Sequence, residues 1–188
     1  MRTFFAMELT PDVVSKIQSA CRSMDRLPGK INWVSPENMH VTMNFVGDVP
    51  DDRVKELCEI GRKTAEGMDF DHVEFSNGPL ACVPHEGYLR MIWSEATDQS
   101  GNMEKLYEAL KEPARDFGTK PDRRPFRGHV TVARIKATRR PDEIRNAVNN
   151  LSETDFGKVR TEHLVLYSSE LKKNGPVYFS LMKAKIGK

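Results

Sequence analysis

Apolar positions along this chain follow two periods, a spacing of three and four residues in four stretches and a strand-like alternation in eight shorter ones. The first helical stretch opens at Thr10-Pro11, a capping residue followed by proline at the first helical position. It carries Val13, Val14, Ile17, Ala20, Cys21, Met24 and Leu27 before Pro28-Gly29 ends it. A second starts near Pro50-Asp51-Asp52, whose carboxylates suit a helix N-terminus, and places Val54, Leu57, Cys58, Gly61 and Ala65 on one face. The third runs from Asn102 to Phe117 through Met103, Leu106, Tyr107, Leu110 and Ala114, with Pro113 as an expected kink. The fourth follows Pro141, with Ile144, Ala147, Val148 and Leu151 as its stripe. Strand character marks Arg2–Leu9, Ile31–Val34, His40–Val46, His72–Phe75, Tyr88–Trp93, His129–Ile135, Leu164–Tyr167 and Val177–Ile186.

Most of the strand-to-strand links are too short for a parallel crossover, so the chain reads as α+β with mostly antiparallel sheets. Helices alternating with strand pairs occur once in each half, and no Gly-, Ser- or Pro-rich linker separates the halves. The expectation is one domain over residues 1–188 built of two pseudo-symmetric lobes. Each would be a mostly antiparallel sheet with helices on its outer face, and an active-site groove would lie between them.

At 188 residues the chain can bury roughly 70% of its unfolded surface and needs no staple. Cys21, Cys58 and Cys82 are odd in number and widely spaced, which fits reduced, mostly buried thiols. No apolar run approaches the roughly 20 residues of a membrane span, and MRTFFAMELTPD lacks the long apolar stretch and cleavage site of a signal peptide. A soluble cytoplasmic protein is expected, with no membrane partner and a monomer as its state. The net charge of +2 conceals a polarity: residues 1–94 carry 10 basic and 14 acidic side chains, whereas residues 95–188 carry 19 and 13.

Two of the five histidines sit in closely similar pentapeptides, His40-Val41-Thr42-Met43-Asn44 and His129-Val130-Thr131-Val132-Ala133, 89 residues apart. A strand sends residues i and i+2 to one face, so each His shares a face with its Thr, while Val41, Met43, Val130 and Val132 anchor the opposite face. A single His-x-Thr would be read as a structural histidine in a half-buried strand. Two matched copies point instead to a shared groove. Paired imidazoles can act as general base and general acid near neutral pH, and the Thr hydroxyls can cradle the oxygens of an anionic tetrahedral centre. His72, His85 and His163 have no such pattern and are read as structural or surface residues. No ligand cluster, P-loop or GxGxxG occurs, so neither a metal nor a cofactor is expected.

The paired His-Val-Thr-Met and His-Val-Thr-Val resemble the two H-x-T-x motifs of the two-histidine phosphoesterase superfamily, and within it the RNA 2′,3′-cyclic phosphodiesterases, also called 2′-5′ RNA ligases. The resemblance extends through Arg2-Thr3-Phe4-Phe5-Ala6, Trp33-Val34, Asn44-Phe45-Val46-Gly47-Asp48, Pro125-Phe126-Arg127-Gly128, Ala133-Arg134, Leu166-Tyr167-Ser168-Ser169 and Gly175-Pro176-Val177-Tyr178. It implies metal-independent opening of a terminal ribose 2′,3′-cyclic phosphate by water to leave a 2′-phosphate, with weak, reversible 2′-5′ joining as a side reaction. His129 is the expected base and His40 the expected acid, with Thr42 and Thr131 on the non-bridging oxygens. Arg134 and Arg127 are expected substrate contacts, and Phe45 is expected to stack on the terminal base. Strict alternation would turn Arg134 and Phe45 away from the histidines, so either a bulge or strand end redirects Arg134 or it serves structure, and Phe45 either stacks on the terminal base or packs in the core.

Two departures stand out. Gly128 occupies a position that is commonly proline, which is expected to loosen the local backbone, and Asn44 replaces a small or apolar residue, which is expected to alter groove polarity. Eight basic residues between Lys120 and Arg140 (Lys120, Arg123, Arg124, Arg127, Arg134, Lys136, Arg139 and Arg140) bracket the second motif with one acid, Asp122, and favour contact with an RNA backbone. The expected partners are RNA ends or nucleotides bearing a 2′,3′-cyclic phosphate. Two other readings are a phosphodiesterase of small cyclic nucleotides or 2′-5′ oligoadenylates, and a non-catalytic RNA-end-binding module.

Overall fold

The computed structural model describes residues 1–84, 86–118, 125–172 and 175–187, so that His85, Lys120, Asp122, Arg123 and Arg124 lie outside the described residues. In chain order the described elements are β1 (Arg2–Glu8), α1 (Pro11–Arg22), β2 (Lys30–Trp33), β3 (His40–Asp48), α2 (Val54–Glu66), β4 (Val73–Val83), β5 (Met91–Thr97), α3 (Asn102–Arg115), β6 (His129–Ala137), α4 (Pro141–Asn149), β7 (Gly157–Thr161), β8 (His163–Lys172) and β9 (Gly175–Lys185). All strand pairings are antiparallel and follow the order β7-β4-β5-β6-β3-β1-β8-β9, with β2 also on β6.

The two lobes are the strand sets β3-β1-β8-β9 and β6-β5-β4-β7 with β2. They are joined in the sheet at one residue pair, Val41 with Val130. Reversing the strand order exchanges β3 with β6, β1 with β5, β8 with β4 and β9 with β7, so this pair lies on an approximate two-fold axis. The lobes do not coincide with the halves of the chain, because β8 and β9 return to pair beside β1.

Helices cover one side of the sheet. Helix α2 packs on β8 and β9, α4 on β4 and α1 beside β7. Helix α3 lies under the seam, against β3 of one lobe, β4 of the other and α2. Its stripe Met103, Leu106, Leu110 and Ala114 is buried, and the helix continues through Pro113. Gly61 lets α2 approach the sheet closely, since a Cβ there would sit 2.5 Å from Cε1 of Phe5 and 2.8 Å from Cε of Met182.

Three local expectations are corrected. Helix α1 ends at Arg22 instead of reaching Leu27, because Met24, Asp25 and Leu27 donate to carbonyls three residues back and tighten the chain into turns. Thr10 holds the N-cap position, but its hydroxyl makes no capping bond. Gly128 does not loosen its backbone: its carbonyl accepts the Ala96 N–H at 2.9 Å, and a Cβ there would meet the Ala96 carbonyl and the Met103 sulfur at 2.6 Å each. Strand β7 is an addition to the eight strands expected. Cys21 and Cys82 are buried and Cys58 half-buried, all free, and among the described residues no helix is long and apolar enough to cross a membrane.

Candidate active site

The Val41–Val130 pair fixes what surrounds it. In an antiparallel pair His40 stands across from Thr131, and Thr42 across from His129. All four side chains project to the face opposite the buried Val41 and Val130. The two motifs thus form a polar quartet around the two-fold axis, open to the side of the sheet that the helices leave uncovered.

Each histidine is oriented in the same way. Nδ1 of His40 lies 2.8 Å from the Asn38 carbonyl, and Nδ1 of His129 lies 2.8 Å from the Arg127 carbonyl. A carbonyl can only accept, so both rings carry their proton on Nδ1 and turn Nε2 to the groove. Nε2 of His40 is 3.0 Å from Oγ1 of Thr42, whose hydroxyl donates to the neutral ring.

Phe45 and Arg134 are redirected to the groove by matching bulges. Pairing along β1 steps from Phe5–Asn44 to Ala6–Thr42, leaving Met43 unpaired, and pairing along β5 steps from Ile92–Ala133 to Trp93–Thr131, leaving Val132 unpaired. The extra residue puts Phe45 on the face of Thr42, and Arg134 on the face of Thr131. Burial repeats this symmetry over seven positions, buried at Val41, Met43, Asn44 and Val46 and at Val130, Val132, Ala133 and Ile135. The same bulge corrects the expectation for Asn44. It lies on the core face, buried, with no partner for Oδ1 among the described residues, and contributes nothing to groove polarity.

Beyond the quartet the lobes differ. On the first, Phe4 stacks on His40 with centroids 4.9 Å apart, Tyr178 meets the ring edge-on at 5.4 Å, and Tyr167 stands 6.4 Å away. The Tyr167 hydroxyl donates to Glu8 at 2.9 Å. Burial in this aromatic box pushes the His40 imidazolium down to about 4, and the nearby positive His129 and Arg134 act in the same direction against the Asn38 hydrogen bond. On the second lobe one ring, Trp93, lies 4.3 Å from His129. Arg127 reaches over the same indole at 5.5 Å and is paired with Glu95. His129 is also held below the ordinary histidine range, by burial first and then by Arg127 and Arg134. Beside it is a pocket of about 250 Å³ lined by Glu95, Asp98, Met103, Glu104, Phe126 and Arg127, among others.

Phe45 is 47% exposed, with the Arg2 guanidinium 4.9 Å above its ring. Trp33 pairs with Ala133 and packs into the core. Tyr178, read from the sequence with Trp33 as core or groove wall, stands in the wall beside His40, whereas Trp93, Glu95, Phe4 and Tyr167 are not sequence candidates for the site, since strands distant in the chain supply them without a local motif. Among the described residues no group of three or more His, Cys, Asp or Glu side chains could hold a metal ion. The quartet offers two neutral, oriented imidazoles and two hydroxyls, and Arg134 adds a guanidinium beside it, a set suited to moving protons beside an anionic centre.

Comparison with known proteins places the chain in a family. A family profile described as LigT like phosphoesterase matches residues 8–77 and 95–178. A protein of Methanothermobacter thermautotrophicus named RNA 2′,3′-cyclic phosphodiesterase is 29% identical over 181 residues, covering 95% of each chain. One of Methanocaldococcus jannaschii with the same name is 25% identical over 178 residues, covering 95% of this chain and 96% of its own. A crystal structure of a Thermus thermophilus protein superposes with a TM-score of 0.82 at 25% identity, covering 99% and 98% of the two chains. Escherichia coli LigT in complex with 3′-AMP shares the fold at a TM-score of 0.75 and 19% identity, over 98% and 97%.

Proposed function

This chain belongs to the LigT-like phosphoesterases, and from that premise we propose that it hydrolyses a terminal RNA 2′,3′-cyclic phosphate to a 2′-phosphate with His129 as general base and His40 as general acid. The observation that carries the reading is the pairing of Val41 with Val130, which sets two Nδ1-anchored imidazoles and two threonine hydroxyls around one point. Relatives bearing the name RNA 2′,3′-cyclic phosphodiesterase over nearly the whole chain support the substrate class.

Water attacks phosphorus in line with the 3′ oxygen. His129 Nε2 takes the water proton as the new P–O bond forms, and the P–O3′ bond breaks as His40 Nε2 delivers a proton to the leaving oxygen. Thr42, Thr131 and Arg134 hold the non-bridging oxygens as negative charge gathers on them, and Phe45 stacks on the terminal base. A 5′-hydroxyl in place of water gives a 2′-5′ linkage by the same proton transfers.

The test is hydrolysis of an oligoribonucleotide ending in a 2′,3′-cyclic phosphate, with a chelator present. His40→Ala and His129→Ala should each lower the rate by at least about 10²–10⁴-fold, the usual contribution of a positioned proton carrier. Undiminished turnover in either variant would sink the proposal.

A further inference from the structure

Past Arg134, strand β6 leads the groove away from the histidines toward a group of unpaired cations. Lys136 follows Arg134 on the groove side, with the buried Ile135 between them. Strand β2 brings Lys30 opposite Ala137, and Arg139 lies just beyond the strand, while Arg90 of the β4–β5 connection, whose carbonyl accepts the Ile135 N–H at 2.8 Å, stands across from the core-facing Ile135. Lys30, Arg90, Arg134, Lys136 and Arg139 are all exposed, and none has an ion-pair partner among the described residues. Nearby Arg140 and Arg145, by contrast, are paired with Glu143 and Asp142.

An aromatic ring stands among these cations. Tyr88, at 62%, is the most exposed aromatic side chain among the described residues, and its hydroxyl donates to the Lys136 carbonyl at 3.0 Å. That bond tethers the ring to the end of β6 while leaving its surface to solvent. A bare ring held at one edge among cations has the makeup of a single-stranded nucleic-acid platform, where bases stack on aromatic faces and the backbone follows positive charge.

We propose that the far end of β6 is a second nucleotide site, in which Tyr88 stacks on a base upstream of the terminal one while Lys30, Lys136 and Arg139 hold the backbone phosphates. The proposal rests on the reading of the protein as acting on RNA ends. A cyclic phosphate closes the 3′ end, so the strand can leave the catalytic quartet only through its 5′ side. At about 3.3 Å per residue, Lys136 lies roughly 23 Å along β6 from His129, beyond the reach of a mononucleotide.

Binding separates this site from the chemistry. A fluorescently labelled hexaribonucleotide ending in a 2′-phosphate is titrated by anisotropy, and a nucleoside 2′-monophosphate by calorimetry. Tyr88→Ala should weaken the hexanucleotide about 5- to 160-fold, the range of one base–aromatic stack, and leave the mononucleotide within twofold. The Lys30→Gln/Lys136→Gln double variant should flatten the slope of log affinity against log salt by about 1.4 for the hexanucleotide, from two lost phosphate contacts. Unchanged hexanucleotide affinity in Tyr88→Ala, or an equal loss for both ligands, overturns the second site. Failure of the hydrolysis assay with this discrimination intact would overturn the catalytic reading instead.

Discussion

His40 and His129 share one kind of Nδ1 anchor and differ in the Thr42 hydroxyl that meets only the His40 ring and in what encloses them. Three rings, Phe4, Tyr167 and Tyr178, surround the first; a single indole lies on the second. The pH profile should record this. In kcat/KM, which reports the free enzyme, a bell needs one ring protonated and the other neutral and peaks midway between their pKa values. Both values lie below the ordinary 6.5, so the maximum should fall on the acid side of pH 6.5 for a cyclic-phosphate substrate, which does not titrate there. Tyr178→Ala admits water to His40, relieves the desolvation of its imidazolium and should move the acid limb upward toward neutrality. A maximum above pH 7, or an acid limb that stays put in the variant, would contradict this account. At this scale the motifs were legible because i and i+2 share a face in any strand. The aromatic box was not, because Phe4, Tyr167 and Tyr178 come from three strands spread over nearly the whole chain.

Among the elements, the bulges at Met43 and Val132 are where alternation fails as a guide. Residue types alone cannot announce a skipped pairing, yet each bulge decides whether Phe45 or Arg134 faces the groove or the core. Strand β7 escaped notice for a related reason: in Gly157-Lys158-Val159-Arg160-Thr161 the one large apolar residue is Val159, too little to make a pattern. Gly61 was legible as part of the α2 stripe, but its role is legible only against Phe5 and Met182. Helix propensity favours alanine over glycine by about 1 kcal/mol, whereas forcing a methyl group against the Phe5 ring costs about 1–3 kcal/mol. Overpacking is the larger effect, so Gly61→Ala should lower the urea midpoint without changing the slope of the transition. A raised midpoint would show that the sheet yields to the methyl group.

Across the whole molecule, the halved charge count anticipated a basic surface near the second motif but not its layout, since the lobes interleave and the last two strands of the chain complete the first lobe. The unpaired cations lie along β6 and its neighbours, to one side of the groove. Hydrolysis of an oligonucleotide should therefore fall between 50 and 200 mM salt, with kcat/KM losing about 0.7 log units per log unit of salt for each phosphate held. A cyclic mononucleotide should respond far less. Equal salt dependence for the two substrates would count against backbone contact.

The axis through Val41 and Val130 has a consequence for direction. Where two proton carriers are related by a two-fold rotation, the arrangement has no intrinsic forward sense: the ring that finishes one turnover protonated is the one equipped to begin the reverse passage as acid. Microscopic reversibility requires this exchange of roles in any such transfer, and under the proposed His129/His40 mechanism near-symmetry would let the protein perform it without rearranging a residue. What breaks the tie is peripheral, the three rings on one side and the single indole on the other.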